Sequence, residues 1–404
     1  MLKYILLAFG ALVAVILGPR LYLSANATPL HPQAETAPSV TRADPSPQLS
    51  GAVDRARQIV RAGLAEQNLP GLSVAVGADG DLVWAEGFGW ADLKTGRRVT
   101  PDTRFRIGTA STALTSAAVG VLLEQGRLKL DDEIQTYVPQ FPKKQWPVTV
   151  GQVMAHVGGV GTNAEGDEPL SRQHCERPVE AVPQFADAAL LFEPGTQYRR
   201  SNYGWILVSA AIEAAAGRPF LTFMREQVFT PLGMNNTGAE SAREENPEDV
   251  GGPGEDPPPF TLIRELILEP LGVGGAKPKS SVGEPPDPAT FYVPGWGPHP
   301  DVRHGLHVRH PRNLSCYAGA MAFFSTPSDL VRFGLAINGG TLLQPATAQL
   351  IQTPQQLTGE LMGAKVVSVT TVREGGTVVA VMSNASYADT SALALKVAEA
   401  FAQR

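Results

Sequence analysis

The chain has 404 residues, 43% hydrophobic and 18% charged, an ordinary globular composition with ample apolar material for a core. Its 33 basic and 39 acidic residues give a formal net charge of -6, which argues against nucleic acid and against an anionic membrane surface as partners. Length alone allows one large domain or two smaller ones.

The N-terminus has its own pattern. Lys3 precedes an apolar run from Tyr4 to Leu17, Gly18-Pro19-Arg20 breaks it, and Ala25-Asn26-Ala27 offers a small-x-small cleavage site. This is the layout of a secretory signal. The run is shorter than the roughly 20 residues of a spanning helix, but Leu21-Tyr22-Leu23 extends it. Residues 1–27 therefore read as a signal peptide or a retained membrane anchor, and both readings place the body in the periplasm or another extracytoplasmic space. Residues 28–50, rich in Ala, Pro, Thr and Ser, read as a flexible linker. Residues 51–404 follow as the domain, with 130–330 as a helical and loop insert. In an oxidising compartment Cys175 and Cys316 can form a disulfide or remain small buried thiols; spacing does not choose between these.

Helical spacing is predicted over 51–67, with Val53, Ile59, Val60 and Leu64 on one side. Strand-like runs at 72–76 and 82–85 flank the turn signal Ala78-Asp79-Gly80. Residues 111–124 form a largely apolar, buried helix. Helices are predicted over 149–155, 185–191, 203–216 (ended by Gly217), 221–229 and 329–338. Residues 253–259 are a proline-rich loop, and 260–268 an amphipathic helix whose apolar stripe reads as core packing before it reads as a membrane or partner face. The long proline-rich stretch 277–311, which includes Phe291 and Trp296, reads as a surface insertion or lid. Two strands, 365–372 and 377–382, joined by Arg373-Glu374-Gly375-Gly376, and a helix over 391–402 close the chain. Strands at both ends with helices between them predict an α+β fold, one antiparallel sheet assembled from the two termini.

Phe105-Arg106-Ile107-Gly108-Thr109-Ala110-Ser111-Thr112, just before the buried helix, resembles the segment that carries Ser-x-x-Lys in the penicillin-binding-protein and serine beta-lactamase family. Further segments resemble its class C beta-lactamase and D-Ala-D-Ala carboxypeptidase branch. They are residues 126–132, Glu193-Pro194-Gly195-Thr196, Ser201-Asn202-Tyr203-Gly204, Pro231-Leu232-Gly233-Met234 and Ser325-Thr326-Pro327-Ser328-Asp329-Leu330. Thr237-Gly238-Ala239-Glu240 and Cys316-Tyr317-Ala318-Gly319 look closer to the mitochondrial beta-lactamase-like serine proteins and their bacterial relatives. The resemblance runs from about Gly51 to the C-terminus. It implies a beta-lactamase/transpeptidase-like fold and serine-hydrolase ancestry, acting on amide or ester bonds.

It also implies three catalytic elements, and each is altered. A serine needs a lysine three residues on, one helical turn away, to take its proton. Those positions read Thr109 and Thr112. Thr109 keeps a hydroxyl, but its methyl stiffens χ1 and crowds attack; Thr112 has no titratable base. The Tyr-x-Asn triplet reads Arg200-Ser201-Asn202, which keeps Asn202 but places at Arg200 a guanidinium that stays protonated. The Lys/His-x-Gly of the sheet edge is expected after Ser325. Almost no chain separates Leu357-Thr358-Gly359 from Lys365, and Arg373-Glu374-Gly375 is a loose match in a turn. The sheet is therefore expected to be shortened near the C-terminus, with strand edges left unpaired.

His299, His304, His307 and His310 could bind zinc if helical, but the surrounding prolines favour solvated loop histidines, so no metal and no cofactor is assigned. His156, in Ala155-His156-Val157-Gly158, reads as a hydrogen-bonding support for the site. The preferred reading is an exported beta-lactamase-related protein with degenerate catalytic motifs, non-catalytic, binding a ligand or associating with itself as a homo-oligomer. A peptide or small anionic ligand would meet Thr109 at a helix start and Arg200 nearby. The alternative is a serine hydrolase (peptidase, esterase or beta-lactamase-like) with a rearranged nucleophile at Ser111 or Thr109.

Overall fold

Apolar residues at alternate strand positions and at helical spacing join the two ends of this chain into one sheet. The computed structural model describes residues 28–42, 46–162, 170, 173–239, 288–294, 306–308, 313–351, 356–361, 364–372 and 376–402. The order begins β1 (Ser39–Thr41), α1 (Ser50–Glu66), β2 (Gly71–Ala78), β3 (Asp81–Asp92), β4 (Arg97–Arg98), β5 (Phe105–Arg106) and α2 (Ser111–Glu124). The middle of the chain contributes α3 (Val150–Met154), α4 (Asn202–Ala216), α5 (Phe220–Met224), β6 (Gly238–Ala239), β7 (Tyr292–Pro294) and β8 (Leu306–Val308). The chain closes with β9 (Phe323–Ser325), α6 (Pro327–Asn338), α7 (Pro345–Leu350), β10 (Gln356–Leu361), β11 (Ala364–Val372), β12 (Thr377–Ser383) and α8 (Thr390–Ala402).

The main sheet is antiparallel, in the order β1-β3-β2-β12-β11-β10, with β4 added to β3. N- and C-terminal halves meet where β2 pairs with β12, Val76 opposite Val379 and Val74 opposite Val381. Successive side chains on these strands point to opposite faces. Val74, Val76, Val379 and Val381 enter a core with Val53, Val60 and Leu64 of α1 and Leu393, Val397 and Phe401 of α8. Ala75, Val378, Ala380 and Met382 face the other way, into a larger core with α2, α4 and Val331 of α6. Both faces are covered, so β2 and β12 are buried along their whole length. The β2–β3 turn places Asp79 and Gly80 at positive φ, which suits the twist of a two-residue hairpin. A small second sheet, β5-β9-β6, lies under the start of α2.

The expected α+β architecture is the one observed, with four local corrections. First, Gln356–Leu361 forms a third C-terminal strand, on β11, where two were expected. Its Gly359 and Glu360 lack alternating apolar character, which hid it in the sequence. Second, residues 28–42, expected to be a flexible linker, lie on the domain. His31 Nε2 is 3.0 Å from the Leu69 carbonyl, Arg61 donates to the Glu35 carbonyl, and Ser39–Thr41 pairs with β3. Third, residues 185–191 are not helical. The helical turns are of 3-10 type and fall earlier, over Pro178–Gln184, where two prolines limit backbone donors. Fourth, within the expected surface insertion β7 and β8 form a two-stranded ribbon. Tyr292 there is buried, and its backbone bonds to Asn384 and Ser386.

Residues 1–27, the helix expected over 260–268, the loop 253–259, Trp296, His299, His304, His310 and the side chain of His307 lie outside the described residues. Among the described residues no single helix is long and apolar enough to cross a membrane. Cys175 and Cys316 form a disulfide across 141 residues of sequence, joining the loop before Pro178–Gln184 to the turn Ser315–Ala320. A cross-link closing so long a loop restricts the unfolded chain. Reduction is expected to lower stability by about 2–5 kcal/mol, measured by denaturant unfolding with and without reductant.

Candidate functional site

The site is built around the entry to α2. β5 pairs with β9, Gly108 adopts φ +52°, and a 3-10 turn over Gly108–Ala110 runs directly into the helix. α2 is apolar and buried nearly all round, which holds its first turn rigidly. Thr109 is half-buried in that turn. Thr112 lies one helical turn on, and its hydroxyl donates back to the Thr109 carbonyl at 2.9 Å. Ser111, weighed as an alternative nucleophile, is 0% exposed. Its hydroxyl donates to the Gly108 carbonyl at 2.7 Å and accepts from the Phe323 amide at 3.2 Å. Ser111 fastens α2 to β9, and no substrate can reach it without breaking that join.

β10 lies beside this entry. Gly359 sits against the backbone of the α2 entry, so close that a Cβ there would collide with the Ile107 carbonyl oxygen. This approach lets the Glu360 amide donate to Thr109 Oγ1 at 3.0 Å. Leu357-Thr358-Gly359 thus lies on the edge strand β10, beside the entry to α2. The Thr-Gly pair was the available sequence signal; Arg373-Glu374-Gly375 lies outside the described residues. Gly359→Ala should destabilise the protein by about 1–3 kcal/mol through overpacking and shift the Glu360 amide resonance. Equilibrium unfolding and amide NMR would test both.

The loop entering α4 meets β10 at Glu360. Ser201 caps α4, accepting from the Gly204 amide at 2.9 Å and donating to the Gly161 carbonyl at 2.7 Å. Asn202 is the first residue of α4 and half-buried. Arg200, just before the cap, places Nη1 2.9 Å from Glu360 Oε2. Thr109, Glu360 and Arg200 are therefore brought together, with Glu360 the bridge. Tyr203 is instead buried and stacked on Phe185 at 4.4 Å. Tyr198 is 69% exposed, edge-on to His156 at 5.8 Å.

His156 supports this loop from behind, at φ +60°. Its carbonyl accepts from the Arg199 amide at 2.9 Å. The ring lies between the Ser201 amide, 3.1 Å from Nδ1, and the Trp205 indole N–H, 3.2 Å from Nε2. A neutral imidazole has a single acceptor nitrogen, so only one of these donors is fully satisfied. Burial, and then the Arg200 charge, push the ring's pKa down to about 4. The unfolded ring, near 6.5, binds its proton first on acidification. The stabilising contribution is therefore complete above pH 6.5 and lost as pH falls through about 4. His156→Asn should flatten the pH dependence of unfolding free energy across that window.

No three side chains among the described residues converge as a metal site. The beta-lactamase family profile matches residues 56–364. The chain is 26% identical over 262 residues to the serine beta-lactamase-like protein LACTB, mitochondrial, of Bos taurus, covering 47% of each chain. It is 28% identical over 175 residues to PbpX of Bacillus subtilis, named for penicillin binding, covering 43% of this chain and 42% of that one. It thus spans about half the length of the curated relatives it matches. FmtA of Staphylococcus aureus superposes with a TM-score of 0.63 at 17% identity, over 87% of this chain and 90% of that one, a likeness of fold. With three quarters of its length matched by the profile and its fold shared, the chain belongs to the beta-lactamase family.

Proposed function

We propose that this is an exported, non-catalytic member of the family that holds a small carboxylate-bearing ligand, such as a peptide C-terminus, between Thr109 and Arg200. The observation that carries this reading is the chemistry around Thr109 Oγ1. Among the described residues its hydrogen-bond partner is an N–H donor, the Glu360 amide, and not a base. Thr112 is turned to the backbone, and Arg200 cannot accept a proton. Loss of one member of a coupled catalytic unit typically lowers the rate by about 10³–10⁶. Such a site retains the capacity to bind an anion: the Arg200 guanidinium and the Thr109 O–H, whose oxygen already accepts from the Glu360 amide, can both donate to negative charge. The N-terminal apolar run, the disulfide and bacterial relatives named for penicillin binding support export.

One observation favours residual hydrolysis by Thr109: an amide N–H at its hydroxyl would also meet a developing oxyanion. Labelling separates the two readings. The purified protein is treated with a fluorescent penicillin and with a fluorophosphonate, and digested for mass spectrometry. The expected result is no adduct at Thr109 or Ser111, with a saturable rise in Tm on adding N-acetylalanine at about millimolar concentration. Arg200→Gln should abolish that rise. An adduct on Thr109 would make the protein an enzyme and overturn the proposal.

A further inference from the structure

We infer that Glu360 is an internal anion that caps Arg200, its carboxylate occupying the guanidinium until a ligand's carboxylate displaces it. The inference rests on the anion-binding reading above and adds a regulatory contact to it. Glu360 is engaged twice: its backbone N–H reaches Thr109 Oγ1, and its side chain reaches Arg200. The chain thus already presents a carboxylate to the one cation that the ligand would need.

Two features make this pair exchangeable. Arg200 and Glu360 side chains are 45% and 41% exposed, so water competes for both and the attraction is weak. The interior pairs of this protein differ: Glu86, bonded to Arg57, is 2% exposed, and Asp329, bonded to Arg332, is 0% exposed. In addition, each backbone is held without the pair. The Arg200 loop is fixed on one side by the Arg199 amide to the His156 carbonyl and on the other by the Ser201 bonds to Gly161 and Gly204. β10 is held by its ladder with β11 and by the seating of Gly359. When the Glu360 carboxylate swings away, the Arg200 backbone and the Glu360 amide remain in place. The ligand that fits is a monocarboxylate: one guanidinium edge is on offer, and Thr109, already accepting from the amide, has its own O–H to donate.

The test is calorimetric titration of the full protein with N-acetylalanine at constant ionic strength, with neutral N-acetylalaninamide as the control. Glu360→Gln keeps the backbone amide and removes the competing charge. It should tighten N-acetylalanine binding about two- to fivefold, the range set by an exposed ion pair, and leave the amide control unbound. In an Arg200→Gln background the same change should produce no tightening. Circular dichroism melts establish that each variant is folded. If the unaltered protein binds N-acetylalanine and Glu360→Gln binds it equally or more weakly, the capping role is wrong while the anion-binding reading stands. If neither binds it, both are wrong.

Discussion

The architecture of the site depends on how closely β10 can approach the turn that starts α2. Gly359 is the residue of contact, and the absence of a side chain lets the strand lie against the Ile107 carbonyl. From that seating follow the Glu360 amide on Thr109 and the reach of the Glu360 carboxylate to Arg200. A methyl group at this position would push the strand away from the turn.

The frame behind this contact is assembled from distant pieces of chain. β2 and β12 interlock near the middle of the sheet, and alternate residues of each feed two cores, one under α1 and α8, the other under the helical body. Residues 28–42 extend the sheet at the edge far from the site. α2 enters from the β5-β9-β6 sheet, secured by the buried Ser111 hydroxyl between Gly108 and Phe323. A serine that looks like a spare nucleophile in the sequence is a structural fastener.

The chemistry of the site is lopsided. Its side-chain donors are the Arg200 guanidinium and the Thr109 hydroxyl, while the Glu360 amide is spent on Thr109. The nearby imidazole is neutral, half-buried and bound up in holding the Arg200 loop, with its pKa at about 4. On the proposed reading such a site receives negative charge, and the carboxylate now at Arg200 is the protein's own Glu360.

Much of the fold was legible in the residues. The apolar spacing of Val53, Val60 and Leu64 marked α1, the unbroken apolar face of residues 111–124 marked α2, and Gly217 marked the end of α4. The identities Thr109, Thr112 and Arg200 are likewise sequence facts; that they stand at the family's catalytic positions is what the resemblance implies. Tertiary structure decided what local patterning cannot encode. β10 carries no alternation to announce it, because an edge strand that seats a glycine on a turn is shaped by its neighbour. The pairing of Cys175 with Cys316, the burial of Ser111 and the meeting of Arg200 with Glu360 join residues 141, 212 and 160 positions apart. Hydrophobic periodicity reports which face of an element is buried. Which element arrives on that face is settled only when the whole chain packs.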